Sequence, residues 1–254
     1  MSEALVVIPT YDEAHTISGL LQQVLALSPE LDVLVVDDAS PDGTGALVAA
    51  LAAVEPRVHL LSRAGKQGLG AAYRAGFRWA LDHNYAQVAQ MDADLSHPPQ
   101  SLPALLGQLG SADVAIGSRY VPGGATRGWP LRRQVLSRAG NTYARRALHI
   151  PVADVTAGFR AYRREVLTAI GLATVTSGGY CFQIELTLRA LQAGFEIAEV
   201  PITFTERVDG NSKMGPEVVR EAFTKVTGWA LAGGLPDRQQ QHPASIRATL
   251  NPAR

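Results

Sequence analysis

The chain has 254 residues, of which 46% are hydrophobic and 18% are charged, a balance that excludes wholesale disorder. Its 23 basic and 23 acidic residues cancel to a formal net charge of zero, which argues against a nucleic acid partner held by bulk charge. The single cysteine excludes an intramolecular disulfide, and the lack of a signal-peptide pattern or a long apolar run predicts a cytoplasmic location.

Short apolar strands alternate with helical segments through the first half of the chain. Strands are predicted near residues 4–8, 33–36, 58–61, 86–91 and 113–116, and helices over 12–25, 71–81 and 101–109. Strands that alternate with helices in this way are typical of an α/β fold with a mostly parallel, doubly wound sheet.

The second half of the chain is less regular. Helices are predicted over 129–149, 180–191 and 217–230, and strands near 161–162 and within 196–205. The glycine-rich segment 121–128 is predicted to be a mobile loop. A tail with a glutamine run and scattered prolines, 233–254, is predicted to be disordered, which leaves one domain over residues 1–232.

Charged residues follow several of the predicted strands. Asp37 and Asp38 follow the second strand, Asp92 and Asp94 the fourth, and Arg119 the fifth. Ligands bind at the carboxyl ends of the strands in such sheets, so we expect these residues to form one site. Two carboxylates one residue apart suit a hard cation such as Mg²⁺ or Mn²⁺, although aspartates are equally common as turn formers.

Two other features near these residues are weaker signals. The segment Gly65–Gly70 does not fit a P-loop, because Gln67 follows the lysine, nor a dinucleotide fingerprint, because it follows the third strand. A glycine turn that lets a nucleotide approach the backbone stays open. His97 lies beside two prolines and is interpreted as a turn residue in preference to a metal ligand.

Three segments together resemble a known family: Val7–Glu13, Val36–Thr44 and Met91–Pro98. They are similar to the inverting glycosyltransferases of family 2 with the GT-A fold. More narrowly, they resemble the dolichol-phosphate mannose synthases and their bacterial counterparts, the polyprenol monophosphomannose synthases. Matches at 117–120, 129–133, 156–160 and 207–213 extend the resemblance to about residue 230. It implies a single GT-A domain that moves mannose from GDP-mannose to a polyprenyl monophosphate with inversion.

The resemblance also implies roles for individual residues. Those expected to hold the donor nucleotide are Pro9, Thr10, Tyr11, Glu13, Val36, Asp38, Asp92 and Ala93. Those expected around the metal, Mg²⁺ or Mn²⁺, are Asp94, Asp92 and Ser96, the last standing where some relatives have Gln. The expected catalytic residues are Asp94, Arg119, Arg207 and Lys213. Those expected to meet the acceptor phosphate are Arg119, Arg133 and Ser137.

A lipid acceptor implies that the protein works at a membrane surface. The basic helix predicted over 129–149 and the helix from 217 to 231 are the expected contacts, either with the inner face of the cytoplasmic membrane or with a membrane-anchored partner protein.

Three other functions compete with this one. A polyprenyl-phosphate glucosyltransferase that uses UDP-glucose would share the same mechanism. A sugar nucleotidyltransferase is disfavoured because residues 7–13 lack its glycine-rich loop. A non-catalytic nucleotide-sugar-binding subunit is disfavoured because the expected acidic and basic site residues are all present.

Overall fold

The computed structural model describes residues 3–206 and 216–235. The strands are β1 Ala4–Thr10, β2 Leu31–Asp37, β3 Val58–Ser62, β4 Gln87–Gln90, β5 Val114–Ser118, β6 Ala125–Arg127, β7 Arg160–Arg163, β8 Ile197–Pro201 and β9 Thr203–Thr205. The helices are α1 Ile17–Leu25, α2 Thr44–Ala52, α3 Leu69–Asp82, α4 Leu102–Gln108, α5 Leu131–Leu148, α6 Arg164–Ala169, α7 Gly179–Gln192 and α8 Pro216–Leu231.

Seven of these strands form one sheet in the order β3-β2-β1-β4-β7-β5-β8, and β6 pairs with β9 in a second sheet. Strand β7 runs antiparallel to β4 and β5, whereas the other pairings of the large sheet are parallel. The predicted mostly parallel sheet is therefore confirmed. Its parallel strands β1, β2 and β4 end at one edge, where the candidate site residues follow them.

The central strands are buried on both faces. In β1, Leu5 and Val7 pack into the core on the face covered by α3 and α7, while Val6 and Ile8 pack into the core on the face covered by α1 and α4. This two-sided burial explains the continuous apolar runs in the sequence, because a strand covered on both faces has no polar side.

Two predictions about the elements were wrong, and two helices were not predicted. Helix α1 begins at Ile17 and not at residue 12, because the Ala14 amide bonds to Asp42 in the turn after β2 and the Glu13 amide bonds to Thr44 at the start of α2. No pattern predicted α2 and α6: α2 buries only Thr44 and Val48, so it lacks an apolar stripe, and α6 is six residues long. The predicted loop 121–128 contains β6, which pairs with β9.

Helix α3 packs unusually close to the sheet at Gly76. A Cβ atom there would lie 2.3 Å from Val7 Cγ1 and 3.2 Å from Val36 Cγ2. Gly76→Ala should therefore lower the free energy of unfolding by roughly 1–2 kcal/mol, since overpacking outweighs the gain in helix propensity.

Urea denaturation measures this loss, and Gly19→Ala is the matched control. Gly19 lies in α1, and a Cβ atom at that position would have no neighbour within 4 Å, so alanine there should leave stability equal or slightly higher. Equal stability of the two variants would contradict the close approach of α3.

Candidate active site

The ends of β1 and β2 are joined by a buried hydrogen-bond network around Asp37. The Thr10 hydroxyl donates to Asp37 Oδ1 at 3.0 Å, and the Ser40 hydroxyl donates to the same oxygen at 2.6 Å. The Ser40 amide donates to Asp37 Oδ2 at 3.1 Å. Asp37 therefore organises the turn after β2, and it holds the side chain of Thr10, which was predicted to meet the donor nucleotide.

Asp38 points instead to the glycine-rich turn before α3. Its Oδ1 accepts from Arg63 Nη1 at 2.5 Å, and its Oδ2 accepts from the Gln67 amide at 3.1 Å. In the same turn, Lys66 Nζ lies 3.6 Å from the centroid of the Tyr11 ring. The segment Gly65–Gly70 thus lies against two predicted nucleotide-binding residues, although neither familiar glycine motif fits it.

The other predicted nucleotide-binding residues lie around the same strand ends. Pro9 and Val36 are paired in the β1–β2 register and are buried. Glu13 follows β1 by three residues, and its amide donates to Thr44 Oγ1 at 3.0 Å. Ala93 is buried between the two aspartates that follow β4.

The Asp92–Asp94 turn is fixed from two sides. The Tyr73 hydroxyl donates to Asp92 Oδ1 at 2.8 Å, and the Asp92 amide donates to His97 Nδ1 at 3.1 Å. The Ser96 amide donates to Asp94 Oδ1 at 3.1 Å, and Leu95 between them has a left-handed backbone with φ of 60°. Such conformations persist where the surroundings enforce them, often at functional sites.

His97 serves as a neutral structural residue in this turn, as the sequence suggested. Its ring stacks on Phe159 with centroids 5.1 Å apart, and burial lowers its pKa below the usual value. Because Nδ1 accepts the Asp92 N–H, the proton of the neutral ring lies on Nε2. Burial, followed by the charge of Asp92, raises the pKa of Tyr73, so its phenol stays a donor.

The oxygen atoms of this turn are of the kind that a divalent cation binds. Among residues 3–206 and 216–235, no three His, Cys, Asp or Glu side chains converge into a protein-only metal site. Asp92 and Asp94 supply carboxylates, and the buried Ser96 hydroxyl has no hydrogen-bond partner within the described part of the chain. Mg²⁺ and Mn²⁺ suit such oxygen ligands and commonly take their other ligands from phosphates and water.

Arg119 forms a buried ion pair directly after β5. Its Nε and Nη2 donate to the two carboxylate oxygens of Asp154, each at 2.6 Å, and its amide donates to Asp154 Oδ2 at 3.0 Å. The Arg119 residue is 6% exposed and Asp154 is fully buried. Burial opposes the charged guanidinium, but Asp154 raises the pKa of Arg119, so the guanidinium stays charged.

Arg133 and Ser137 on α5 lie near Arg119, and each contacts an aromatic residue, Trp129 or Tyr120, that lies beside Arg119. Arg133 Cζ lies 4.1 Å from the Trp129 ring centroid, and Arg119 Cζ lies 5.4 Å from the same centroid. The Tyr120 hydroxyl donates to Ser137 Oγ at 2.7 Å. The three residues predicted to meet the acceptor phosphate are thus brought together.

This basic cluster still has unused donors. Arg133 Nη1 donates to Glu206 at 2.8 Å, but Arg133 Nε and Trp129 Nε1 are buried and have no hydrogen-bond partner among residues 3–206 and 216–235. Buried donors are normally paired, so these two N–H groups are candidates for binding an anionic ligand. Arg207 and Lys213 fall outside the described residues.

Phe204 lies between the basic cluster, formed by Arg119, Arg133 and Ser137, and the acidic turn at Asp92–Asp94. Its ring lies 5.4 Å from His97 and 5.3 Å from Trp129, measured between centroids, and 5.5 Å from Arg119 Cζ. The next amide, that of Thr205, donates to the Ser96 carbonyl at 3.1 Å. The acidic Asp92–Asp94 turn and the basic residues Arg119 and Arg133 therefore lie on adjoining sides of one site.

Several supporting residues were not predicted as site residues. Asp154 and Tyr73 act from distant parts of the chain on Arg119 and Asp92. Arg160 is fully buried and donates to the carbonyls of Ala157 and Val155, which shapes the loop before β7. Two of them had a positional signal: Asp154 lies two residues before the Thr156–Arg160 motif, and Arg160 is its last residue.

Residues 5–171 match the family described as glycosyl transferase family 2. A polyprenol monophosphomannose synthase from Mycolicibacterium smegmatis is 54% identical over 233 residues, which cover 91% of this chain and 88% of the relative. An undecaprenyl-phosphate mannosyltransferase from Micrococcus luteus is 50% identical over 228 residues, which cover 90% of this chain and 94% of the relative.

Two solved structures share the fold at low sequence identity. Glucosyl-3-phosphoglycerate synthase from Mycobacterium tuberculosis, in complex with Mn²⁺, UDP and glucosyl-3-phosphoglycerate, aligns with a TM-score of 0.63 and 20% identity over 93% of this chain and 81% of that chain. The mannosyltransferase PcManGT from Pyrobaculum calidifontis, in complex with GDP-Man and Mn²⁺, aligns with a TM-score of 0.54 and 18% identity over 99% of this chain and 76% of that chain.

Proposed function

The chain belongs to glycosyl transferase family 2, and from this membership we propose that it transfers mannose from GDP-mannose to a polyprenyl monophosphate. The observation that carries the proposal is the junction of the Asp92–Asp94 turn with the Arg119–Arg133–Ser137 cluster through Phe204. Adjoining acidic and basic groups support the proposal, because the first would suit a metal-bound diphosphate and the second a phosphate acceptor. According to their names, both relatives described above transfer mannose to a polyprenyl carrier.

The proposed reaction needs no strong general base. An oxygen of the acceptor phosphate attacks the anomeric carbon, the bond from that carbon to the diphosphate breaks, and GDP leaves with the bonding electrons. Because the attacking oxygen is already an anion at neutral pH, no side chain has to remove a proton. This agrees with His97, whose Nδ1 is engaged by the Asp92 amide. Attack from the opposite face would give a polyprenyl β-mannosyl phosphate.

The proposed roles of the charged residues follow from where negative charge lies. Arg133, with Arg119 beside it, would orient the acceptor phosphate through guanidinium donors that lysine could not reproduce. A divalent cation, Mg²⁺ or Mn²⁺, held by Asp94 would supply positive charge for the leaving diphosphate. Arg207 and Lys213 are proposed to stabilise the same charge.

Transfer of labelled sugar to a polyprenyl phosphate tests this function. GDP-mannose and UDP-glucose would be offered separately, each with Mg²⁺, Mn²⁺ or EDTA. Metal-dependent transfer from GDP-mannose alone is expected. Transfer from UDP-glucose alone would make the protein a polyprenyl-phosphate glucosyltransferase, and tight nucleotide binding with no transfer would indicate a non-catalytic subunit.

We also propose that the protein meets its lipid acceptor as a peripheral protein at the inner face of the cytoplasmic membrane. No helix in the described parts of the chain has the length and apolarity to cross a bilayer. Helix α5 carries basic and no acidic residues, yet Leu131 and Val135 on it are 74% and 59% exposed. Exposed apolar residues among arginines suit the surface of an anionic membrane.

Helix α8 extends this surface. The Tyr143 ring of α5 stacks on Phe223 of α8 with centroids 5.1 Å apart, and the Tyr143 hydroxyl bonds to Thr227 at 2.6 Å. A groove beside this contact is lined by Arg138, Ala139, Thr142, Tyr143, Arg146 and Ala147. The two helices would therefore approach the membrane as one unit, with Phe223 still largely exposed.

Charge on the apolar residues of α5 should weaken binding to membranes. Leu131→Glu with Val135→Glu is expected to reduce binding to anionic vesicles by about tenfold or more, because apolar contact is lost and repulsion is added. Vesicle flotation measures the bound fraction. The control is Val54→Glu, which changes a residue that is 79% exposed after α2. Equal binding of all three proteins, or no binding by the unmodified protein, would contradict direct membrane contact and point to a membrane-anchored partner protein.

A further inference from the structure

The Gly65–Gly70 turn is tied to the predicted nucleotide site by two contacts on Asp38. Arg63 holds one carboxylate oxygen of Asp38, and the Gln67 amide holds the other. Arg63 Nη2 also donates to Gln67 Oε1 at 2.7 Å, which closes the triangle. The backbone between Arg63 and Gln67 is therefore held at a set distance from Asp38, and Lys66 lies within this restrained segment.

The side chain of Lys66 is left available for a ligand. Its ammonium group stands 3.6 Å from the centroid of the Tyr11 ring, and the residue is exposed to solvent. A cation–π contact at an exposed site is weak, so a stronger hydrogen-bond acceptor on a ligand can replace the ring as the partner of the ammonium. A nucleobase beside Tyr11 would meet three N–H donors at Lys66 and the Asp38 carboxylate, whose two oxygens also accept from Arg63 and Gln67.

This pair of charges matches the two edges of guanine. Guanine presents the acceptors O6 and N7 on one edge, to which lysine and arginine commonly bind, and N–H donors on its Watson–Crick side suit a carboxylate. Adenine presents an amino group beside N7. That amino group is a hydrogen-bond donor, so it cannot accept from the Lys66 ammonium, which is also a donor. Uracil has no N7 and is shorter by one ring.

We propose that Lys66 is a specificity-determining residue that selects a guanine base by donating to its O6 and N7 edge. The Arg63–Asp38–Gln67 triangle is the positioning group that holds the turn where Lys66 can do so. This inference rests on the proposed function, because it assumes that the donor nucleotide lies beside Tyr11 and Asp38. It adds to that function a residue that distinguishes GDP from other nucleoside diphosphates.

Equilibrium binding of free nucleotides tests Lys66 without catalysis. Dissociation constants for GDP, UDP and ADP would be measured by calorimetry with Mg²⁺ for the unmodified protein, Lys66→Met and Lys66→Arg. The matched control is Lys225→Met, because Lys225 lies on α8 and pairs with Glu221 at 3.0 Å. Circular dichroism would verify that each variant is folded.

Lys66→Met is expected to weaken GDP binding by about tenfold and to leave UDP and ADP binding nearly unchanged, so that the preference for GDP shrinks. Lys66→Arg should keep most of the preference, since arginine offers donors to the same edge, and Lys225→Met should match the unmodified protein.

Two results would overturn the inference while leaving the proposed function intact. If Lys66→Met weakens all three nucleotides equally, the ammonium contacts the diphosphate they share. If it weakens none, Lys66 does not contact the nucleotide. An unmodified protein that prefers UDP or ADP would instead overturn the proposed GDP-mannose donor, and the inference with it.

Discussion

Asp94→Ala is expected to lower mannosyl transfer on the order of 10³-fold or more while the protein stays folded. The substitution removes the proposed carboxylate ligand of the cation that balances charge on the leaving diphosphate, and such electrostatic stabilisation is usually the largest catalytic contribution. The fold should tolerate the change, because Asp94 lies in a turn after β4 and not within the packed strands. Steady-state rates across a Mg²⁺ and Mn²⁺ titration, with circular dichroism for folding, measure both effects.

The matched control for Asp94→Ala is Asp82→Ala, which removes an exposed carboxylate at the end of α3. This control should retain full activity and the same metal dependence as the unmodified protein. If Asp94→Ala regained full activity at saturating metal, Asp94 would only raise metal affinity. If it were fully active at every metal concentration, Asp94 would have no part in binding the cation.

Asp154→Ala is expected to lower the free energy of unfolding by about 3–5 kcal/mol, because it leaves the Arg119 guanidinium buried without its counterion. For a domain of this size, the loss corresponds to a fall in Tm of roughly 10 °C. Asp154 accepts two bonds from the Arg119 side chain and one from its amide, so no water can readily replace the carboxylate at this depth. Calorimetry or chemical denaturation measures the change.

A paired substitution separates stability from binding at this ion pair. Arg119→Met combined with Asp154→Leu removes both charges and should recover most of the stability that Asp154→Ala loses, since apolar replacements of buried ion pairs are often tolerated. Activity should not recover, because the proposed guanidinium beside the acceptor phosphate is gone. A stable double variant with an unchanged KM for polyprenyl phosphate would show that Arg119 is purely structural. Asp154→Ala with normal stability would contradict the buried pair itself.

Most of the sheet was predictable from local sequence. Strands buried on both faces must be apolar throughout, and strands such as β1 and β2 therefore stand out as continuous runs that end in polar residues. The same apolar runs placed Asp92, Asp94 and Arg119 at the ends of strands. Because those strands run in the same direction, their ends lie at one edge of the sheet. Helix α2 escaped prediction because it buries too few residues to produce a periodic pattern.

The partners of those site residues were not predictable, because they come from distant segments. Tyr73 reaches Asp92 from a helix 19 residues earlier, and Asp154 reaches Arg119 from a loop 35 residues later. Nothing in the local sequence of an aspartate tells whether it faces a cation, a phenol or an arginine. The partner of the aspartate depends on which strands, helices and loops pack beside it in the folded chain.

The Gly65–Gly70 turn most clearly separates what the local sequence predicts from what tertiary packing decides. Its residues fit no phosphate-binding motif, and the local pattern indicated only that a glycine backbone there leaves room for a nucleotide. The folded chain brings Gln67 to Asp38 and Lys66 to Tyr11, which are 29 and 55 residues away along the chain. Local patterns determine which segments become strands and helices, because burial imposes periodicity. Contacts between side chains of different elements depend on tertiary packing, which no local pattern encodes.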